Sequence, residues 1–211
     1  MNALITGLLA LFSMASLAET RVLDLALSSA DGPVPGALVF FDYGPPPQPV
    51  STEIYQKDRQ FHPPVLVVPA GSRVEFPNRD TTQHHVYSFS PAKTFELELY
   101  TDRPEAPVVF DKPGTVELGC NIHDHMQAFV LVMAHGAYGQ TDAEGRVRIP
   151  VPAPAESTMS VHIWHQRLTD NTRPEQHRVR IDQPAEITLE LAPEPKADSA
   201  LDRLQQKFRD L

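Results

Sequence analysis

The sequence has few of the residues that would define several common classes of protein. It has a single cysteine, Cys120, so it cannot form an internal disulfide. Basic residues are also scarce: 18 Lys and Arg stand against 27 Asp and Glu, which gives a formal net charge of -9. This charge disfavours nucleic acid and anionic membranes as partners and favours a basic protein. Beyond the N-terminus, no apolar run is long enough to span a bilayer.

The N-terminal segment from Met1 to Ala18 contains no charged side chain and ends in Ser16-Leu17-Ala18. An apolar run followed by small residues is typical of a cleaved export signal, so residues 1–18 are predicted to be a signal peptide and the protein to be periplasmic. An uncleaved N-terminal anchor is the alternative. A lone exposed thiol is a liability in an oxidising compartment. Cys120 is therefore expected to be buried and inert, paired with another chain, or bound to a metal.

The distribution of proline predicts an all-β fold. The 21 prolines lie between short apolar runs and do not interrupt a helical pattern. Many short strands joined by turns fold as a sandwich or barrel. The predicted strands are Val22–Leu27, Ala37–Phe41, Val65–Pro69, Arg73–Pro77, His84–Phe89, Phe95–Tyr100, Val108–Phe110, Gly114–Gly119, Gln127–Ala134, Arg146–Ile149, Met159–His165, Val179–Ile181 and Ile187–Leu191. Leu201, Leu204, Phe208 and Leu211 have helical spacing and predict a short amphipathic C-terminal helix.

One loop carries the most informative chemistry. The segment Gly119–Met126 lies between two predicted strands and combines a thiolate, an imidazole and a thioether in Cys120, His123 and Met126. His84 stands at another strand edge. Cu(I) prefers soft sulfur and Cu(II) prefers nitrogen, so a mixed nitrogen and sulfur donor set accommodates both oxidation states. If the two strand ends meet at one pole of the fold, these groups suit a copper ion that gains and loses one electron.

These motifs resemble the cupredoxins, the family of plastocyanin and amicyanin. The ligand loop reads C-x2-H-x2-M, with the short spacing of amicyanin. The segments Val68–Asn78 and Lys112–Thr115 are similar to family segments as well. The resemblance implies one copper ion with equatorial ligands His84, Cys120 and His123 and an axial Met126. It also implies electron transfer without catalysis, and a c-type cytochrome or a quinone-bearing dehydrogenase as the redox partner.

Two positions depart from the family pattern. His85 stands where Asn is usual, and Asn121 stands where Ser or Thr is usual. We hypothesise that these two side chains form a substitute hydrogen-bonded pair that pins the loop. Adjacent strand residues face opposite ways, so periodicity cannot choose between His84 and His85, and the choice of His84 comes from the resemblance. His125 is interpreted as a solvated surface residue, and the alternative is that it tunes or supplements the metal site. No metal role is assigned to His62, His135, His162, His165 and His177.

Three alternatives compete with an electron carrier. Cys120 and His123 could be the nucleophile and base of a hydrolase, but a third, orienting group is missing. Zinc is conceivable, but a thioether is a poor ligand for it. A periplasmic copper carrier, or a binding module stabilised by copper, would use the same ligands without a redox role.

The flanking segments resemble a different module. Asp31–Ala37, Tyr138–Val147 and Val161–His165 are similar to the carboxypeptidase regulatory-like, transthyretin-type β-sandwich. The prediction is a Greek-key cupredoxin sandwich or barrel at 50–135, inserted into a second small sandwich made of 19–45 and 136–193, with a helix at 196–211. The stiff tract Pro45–Pro49 marks the first boundary. Proteins with this combination resemble those labelled methylamine utilization proteins.

Overall fold

A computed structural model describes residues 21–151 and 157–193, and its regular structure there consists of strands. The predicted all-β fold is confirmed. The predicted signal peptide at 1–18 and the helix at 196–211 lie outside the described residues. The described residues contain no helix that could cross a membrane. The strands are β1 (Arg21–Ser29), β2 (Gly32–Pro33), β3 (Leu38–Phe40), β4 (Ser51–Glu53), β5 (Tyr55–Lys57), β6 (Gln60–His62), β7 (Val65–Pro69), β8 (Ser72–Glu75), β9 (His84–Ser90), β10 (Lys93–Tyr100), β11 (Val108–Phe110), β12 (Gly114–Cys120), β13 (Gln127–Met133), β14 (Tyr138–Gln140), β15 (Arg146–Val151), β16 (Thr158–Trp164), β17 (Glu175–Arg180) and β18 (Ala185–Thr188).

The N-terminal strand β1 forms a sheet with strands from the C-terminal part of the chain. β1 pairs with β15 in antiparallel fashion and with β18 in parallel. A second sheet has the order β14-β3-β16-β17. Leu23, Leu25 and Leu27 alternate with more exposed residues along β1 and enter a core between the two sheets. N-terminal and C-terminal strands therefore share one hydrophobic core.

The middle of the chain builds a second core. One sheet has the order β10-β9-β12-β13-β7, and a smaller sheet has the order β11-β8-β4. Along β12, Val116, Leu118 and Cys120 are buried while Glu117 is exposed. The period of two places the cysteine on the same inward face as the apolar residues. The core therefore surrounds the sulfur of Cys120.

Strand β13 is covered on both faces. Ala128, Val130 and Val132 enter the central core. Phe129 and Leu131 face the other way and pack with Trp164 of β16 in a third cluster. A strand buried on both sides has a continuous apolar sequence, as Ala128 to Met133 does. The third cluster thus joins the central unit to the unit that contains β1.

Most predicted strands are found, but five short ones were not predicted. They are β2, of two residues, and β4, β5, β6 and β14, each of three residues and mostly polar. Such segments lack the apolar alternation from which strands are predicted. The proline tract Pro45–Pro49 lies between β3 and β4, where no strand is formed. The domain boundaries themselves stay a prediction.

Candidate metal centre

His84 is the inward-facing member of the histidine pair. It is the first residue of β9, where His84, Val86 and Ser88 are buried and His85 and Tyr87 are less so. His84 is 0% exposed. The strand register therefore turns His84 toward the central core and His85 toward the outer face of the sheet.

Cys120 ends β12, and the chain returns to β13 through two tight turns. The His123 N–H lies 3.4 Å from the Cys120 carbonyl oxygen, and the Met126 N–H donates to the His123 carbonyl at 3.1 Å. Cys120 pairs with Val86 of β9, two residues from His84. The hydrogen bonds between β9 and β12 therefore hold His84 beside the loop that carries the other candidate ligands.

The structure brings three of the four predicted ligands together. The Cys120 sulfur lies 3.7 Å from Nδ1 of His84 and 3.5 Å from Nδ1 of His123. All three donor atoms lie within 4.8 Å of one another. Met126 is 3% exposed and packs in the same core cluster as Cys120. It is the fourth predicted ligand.

This donor set fits a copper ion. A sulfur and a nitrogen bonded to one metal at about 2.3 Å and about 2.0 Å lie no more than about 4.3 Å apart. Both measured distances from the Cys120 sulfur satisfy this limit. One soft thiolate and two imidazoles suit both oxidation states of copper. Within residues 21–151 and 157–193, His84, Cys120 and His123 are the one group of three or more His, Cys, Asp or Glu residues that could hold a metal ion.

Asp80 holds the ring of His84 from the other side. Nε2 of His84 lies 2.9 Å from the Asp80 carboxylate. A carboxylate accepts hydrogen bonds, so this contact places the ring proton on Nε2 and leaves Nδ1 free to bind a metal. Asp80 therefore selects the tautomer that the site needs.

The Asp80 carboxylate also accepts two backbone hydrogen bonds from the β5–β6 turn. Its oxygens accept the N–H of Asp58 at 2.7 Å and the N–H of Arg59 at 3.0 Å. Burial alone would raise the pKa of the Asp80 carboxyl, but the Arg59 and His84 hydrogen bonds hold that pKa below its usual value. The group is thus kept as an anion beside the ligand ring.

The surroundings of His123 favour its neutral form. Burial lowers the pKa of the His123 imidazole, and electrostatic interactions with the neighbouring His84 ring and with Arg59 lower it further. Only a neutral imidazole has a lone pair for a metal. The local charges therefore favour the metal-binding form.

A second contact network lies behind Cys120. Burial raises the pKa of the Tyr100 hydroxyl, and the negative charge of Cys120 raises it further. The hydroxyl donates to the Gln56 side-chain oxygen at 2.7 Å, and Gln56 is completely buried. Tyr100 pairs with His84 across β9 and β10. The β5–β6 hairpin therefore contacts the surroundings of both His84 and Cys120.

Sequence reasoning missed the supporting residues Asp80, Gln56 and Tyr100. Asp80 precedes His84 by four residues, in a segment that carries no strand pattern of its own. A carboxylate close to a ligand histidine was the available signal. Gln56 and Tyr100 are brought to the site by strand pairing, which local sequence does not reveal.

The predicted side-chain pair between His85 and Asn121 is wrong. The His85 ring contacts the Glu96 carboxylate at 2.7 Å. The connection to the loop is made by backbone atoms, because the Asn121 N–H donates to the His85 carbonyl at 3.0 Å. His85 faces outward on β9, so its ring cannot reach the inside of the loop. A backbone hydrogen bond, and not a pair of side chains, therefore connects the loop to β9 at His85.

The remaining histidines are not members of this cluster. His125 is exposed on the ligand loop. His162 contacts Asp42, His177 contacts Glu175, and His62 stacks on Tyr55. None of them belongs to the metal-binding group described above.

No protein-family model matches the sequence, and no curated protein matches it significantly. Solved structures that resemble this chain include copper proteins. A Cu-containing nitrite reductase from Thermus scotoductus SA-01 is 26% identical, over 41% of this chain and 23% of its own, with a TM-score of 0.36. The Cu(I) form of an amicyanin mutant is 18% identical, over 45% of this chain and 98% of its own, also with a TM-score of 0.36. Another Cu(I) amicyanin mutant is 20% identical, over 39% of this chain and 82% of its own, at 0.35.

Amicyanin is one of the two cupredoxins to which the ligand loop was compared, and its structures are similar to part of this chain. The matched part is less than half of this chain. The assignment of the metal site therefore depends on the geometry of its side chains.

Proposed function

We propose that this chain is a periplasmic type 1 copper protein that carries single electrons between redox partners, with His84, Cys120, His123 and Met126 as ligands. One observation carries the proposal: a buried thiol and two imidazole nitrogens converge, with Sγ–Nδ1 distances of 3.7 and 3.5 Å. Zinc sites, in contrast, rarely recruit a thioether such as Met126. Export is supported by the apolar segment Met1–Ala18.

The chain's own residues hold the donors in place. Two strands fix Cys120 and His84, and Asp80 fixes the His84 ring. When bound, copper supplies a one-electron couple between Cu(I) and Cu(II). A ligand set that is already positioned needs little rearrangement when the charge changes, which favours fast transfer. His123 is the partly exposed ligand and offers a route from the site to the surface.

The enzyme alternative receives little support from the geometry. The Cys120 sulfur is in a residue only 5% exposed, which leaves little room for a substrate carbonyl. Asp80 does orient an imidazole beside the thiol, because it contacts His84, whose Nδ1 lies 3.7 Å from the Cys120 sulfur. A Cys–His hydrolase would also need its sulfur open to a substrate, and His84 and Cys120 are both buried. We therefore expect no hydrolytic turnover.

A periplasmic copper carrier without a redox role is the remaining alternative, and one experiment separates the two functions. Cu(II) is added to purified protein and to its Cys120→Ser variant, and visible and EPR spectra are recorded. Electron transfer predicts an intense thiolate-to-copper absorption that ascorbate bleaches and air restores, absent from the variant. Colourless or irreversible binding would support carriage instead. A c-type cytochrome and a quinone-bearing dehydrogenase are the proposed partners.

A further inference from the structure

A cavity of about 190 Å³ lies between the central unit and the unit that contains β1. Strands of both units supply its apolar wall, which includes Leu38 and Phe40 of β3 and Leu131 and Met133 of β13. Apolar cavities of about 150 Å³ are large enough to bind benzene. The cavity therefore has room for a ligand with one aromatic ring and small substituents.

Two histidines line the same cavity, and a neighbouring oxygen selects the tautomer of each. Nε2 of His162 lies 2.6 Å from the Asp42 carboxylate, and Nδ1 of His135 lies 3.1 Å from the Gly44 carbonyl oxygen. Both oxygens accept hydrogen bonds, so the proton of each neutral imidazole is on the nitrogen that contacts them. The second nitrogen of each ring therefore has a free lone pair.

These second nitrogens, Nδ1 of His162 and Nε2 of His135, are accessible hydrogen-bond acceptors. Neither makes a hydrogen bond with the described residues, and among those residues only the Tyr43 hydroxyl is fully buried without a partner. The His162 ring also stacks on Phe40, with ring centroids 5.1 Å apart and an angle of 19° between the planes. A ring held in this way is oriented before a ligand arrives, which lowers the entropic cost of binding.

The polar groups of the cavity suit a ligand that donates hydrogen bonds. The part of the lining that the structure describes contains Asp42 and the two histidines but no Lys or Arg. An anionic ligand would meet the Asp42 carboxylate without a compensating cation, which disfavours its binding. The Thr115 hydroxyl, also in the lining, can donate or accept. A neutral ring with two donor groups fits the pair of imidazole acceptors.

We propose that this cavity binds a single-ring aromatic molecule of the dihydroxybenzene class, with one hydroxyl donating to His135 and the other to His162. An apolar wall with a few polar groups that fix orientation is the usual design of a small-molecule site. The site is separate from the metal centre. Thr115 lies near the start of β12 and Cys120 ends that strand, so about 17 Å separates them at the rise of an antiparallel strand. The proposal therefore goes beyond electron transfer and does not depend on it.

The probe is resorcinol, titrated into the copper-free full chain and followed by the NMR signals of the histidine rings. The buffer is mildly alkaline, because free imidazole is neutral there. Resorcinol dimethyl ether and benzoate offer acceptors and no donor, and we expect them to bind at least about tenfold more weakly. Equal or tighter binding of either compound would overturn the proposal, as would an absence of resorcinol binding.

The His162→Phe variant keeps a flat ring on Phe40 but removes the acceptor. It is expected to weaken resorcinol binding about fivefold or more and to leave binding of the dimethyl ether unchanged. The matched control is His177→Phe, which removes an imidazole that also contacts a carboxylate, that of Glu175, but does not line the cavity. The control should bind resorcinol as the unchanged protein does. Equal weakening by both variants would contradict the role of His162.

A second variant tests the place of binding. Ala134 lines the cavity and is partly exposed, so Ala134→Leu adds volume there without replacing a core residue. It is expected to weaken resorcinol and its dimethyl ether alike, and unchanged binding of resorcinol would place the ligand elsewhere and overturn the proposal. Circular dichroism verifies that each variant is folded.

Discussion

At the scale of single residues, the site depends on a carboxylate that never touches the metal. Asp80 contacts Nε2 of His84 at 2.9 Å and accepts two backbone N–H groups from the β5–β6 turn. Groups that orient a ligand histidine fix its tautomer and its ring orientation and raise its basicity as a ligand. Asp80 is therefore the residue whose conservative replacement is most informative.

Asp80→Asn is expected to weaken copper binding by about 10- to 100-fold. The amide can donate to Nε2, which favours a proton on Nδ1, and that tautomer has no lone pair facing Cys120. Competition with a chelator measures the affinity, and nitrogen NMR of the copper-free protein reads the tautomer of His84 directly. Asp124→Asn, an exposed carboxylate on the ligand loop, is the control and is expected to change neither. An unchanged tautomer in the Asp80 variant would contradict the role assigned to it.

The ligand candidates were predictable from sequence because of their chemistry. A lone cysteine with a histidine and a methionine on one loop, in a sequence rich in strands, is a rare combination. The choice of His84 over His85 depended on family resemblance, and strand register supplies the physical reason for it. Asp80 was not predicted, because aspartates are common in loops. Its hydrogen bonds also reach the β5–β6 hairpin, which has no sequence pattern that predicts it.

At the scale of elements, the β5–β6 hairpin has an unusual backbone conformation at its turn. Asp58 and Arg59 both have positive φ, 54° and 55°, although neither is glycine. Two-residue hairpin turns of this kind usually use Asn or Gly. The carboxylate of Asp80 accepts both of their N–H groups, which stabilises the strained turn at the point nearest the site.

In copper-free protein, the Arg59→Gly variant is expected to be more stable to unfolding than the Arg59→Val variant, by about 1–2 kcal/mol. Both variants keep the backbone N–H, so the difference reports the cost of a side chain at positive φ. Urea denaturation measures it. The same pair of replacements at Lys57, within strand β5, should give the opposite order, because an extended strand favours valine. Equal stability of the two Arg59 variants would show that the turn is not held as described.

Elements were predictable where apolar alternation is strong. β12 and β10 show the period of two and were found, whereas β4 to β6 have three residues each and mix polar with apolar types. These strands are defined by the strands they pair with, as in the parallel pairing of β4 with β8. No local pattern specifies such a contact.

At the scale of the whole molecule, one strand connects two hydrophobic cores. The ring of Phe129 in β13 meets that of Trp164 in β16 with centroids 5.1 Å apart. Trp164 is the single tryptophan of the chain. Its fluorescence therefore reports on the contact between the two units. The continuous apolar run of β13 indicated cover on both faces, but only the structure shows which unit supplies it.

Phe129→Ala is expected to destabilise the protein by about 3–5 kcal/mol and to uncouple the two units. In the unchanged protein, Trp164 fluorescence and far-ultraviolet dichroism should give coincident unfolding curves. In the variant the two curves should separate. Phe110→Ala, which opens a similar cavity inside the central core, is the control and should lower stability while keeping the curves together. Coincident curves in the Phe129 variant would show that the third cluster does not couple the units.

The pairing of β1 has a consequence for the order in which the chain can fold. Leu25 faces Val147 on one side and Ala185 on the other, so the first strand has no complete sheet until nearly the whole chain has been made. The strands of the central unit find their partners among closer neighbours, such as β9 with β10 and β12 with β13. Short-range pairings close faster than long-range ones. Nascent chains should therefore assemble the central unit that contains Cys120 early, while β1 waits for β15 and β18 to complete its sheet.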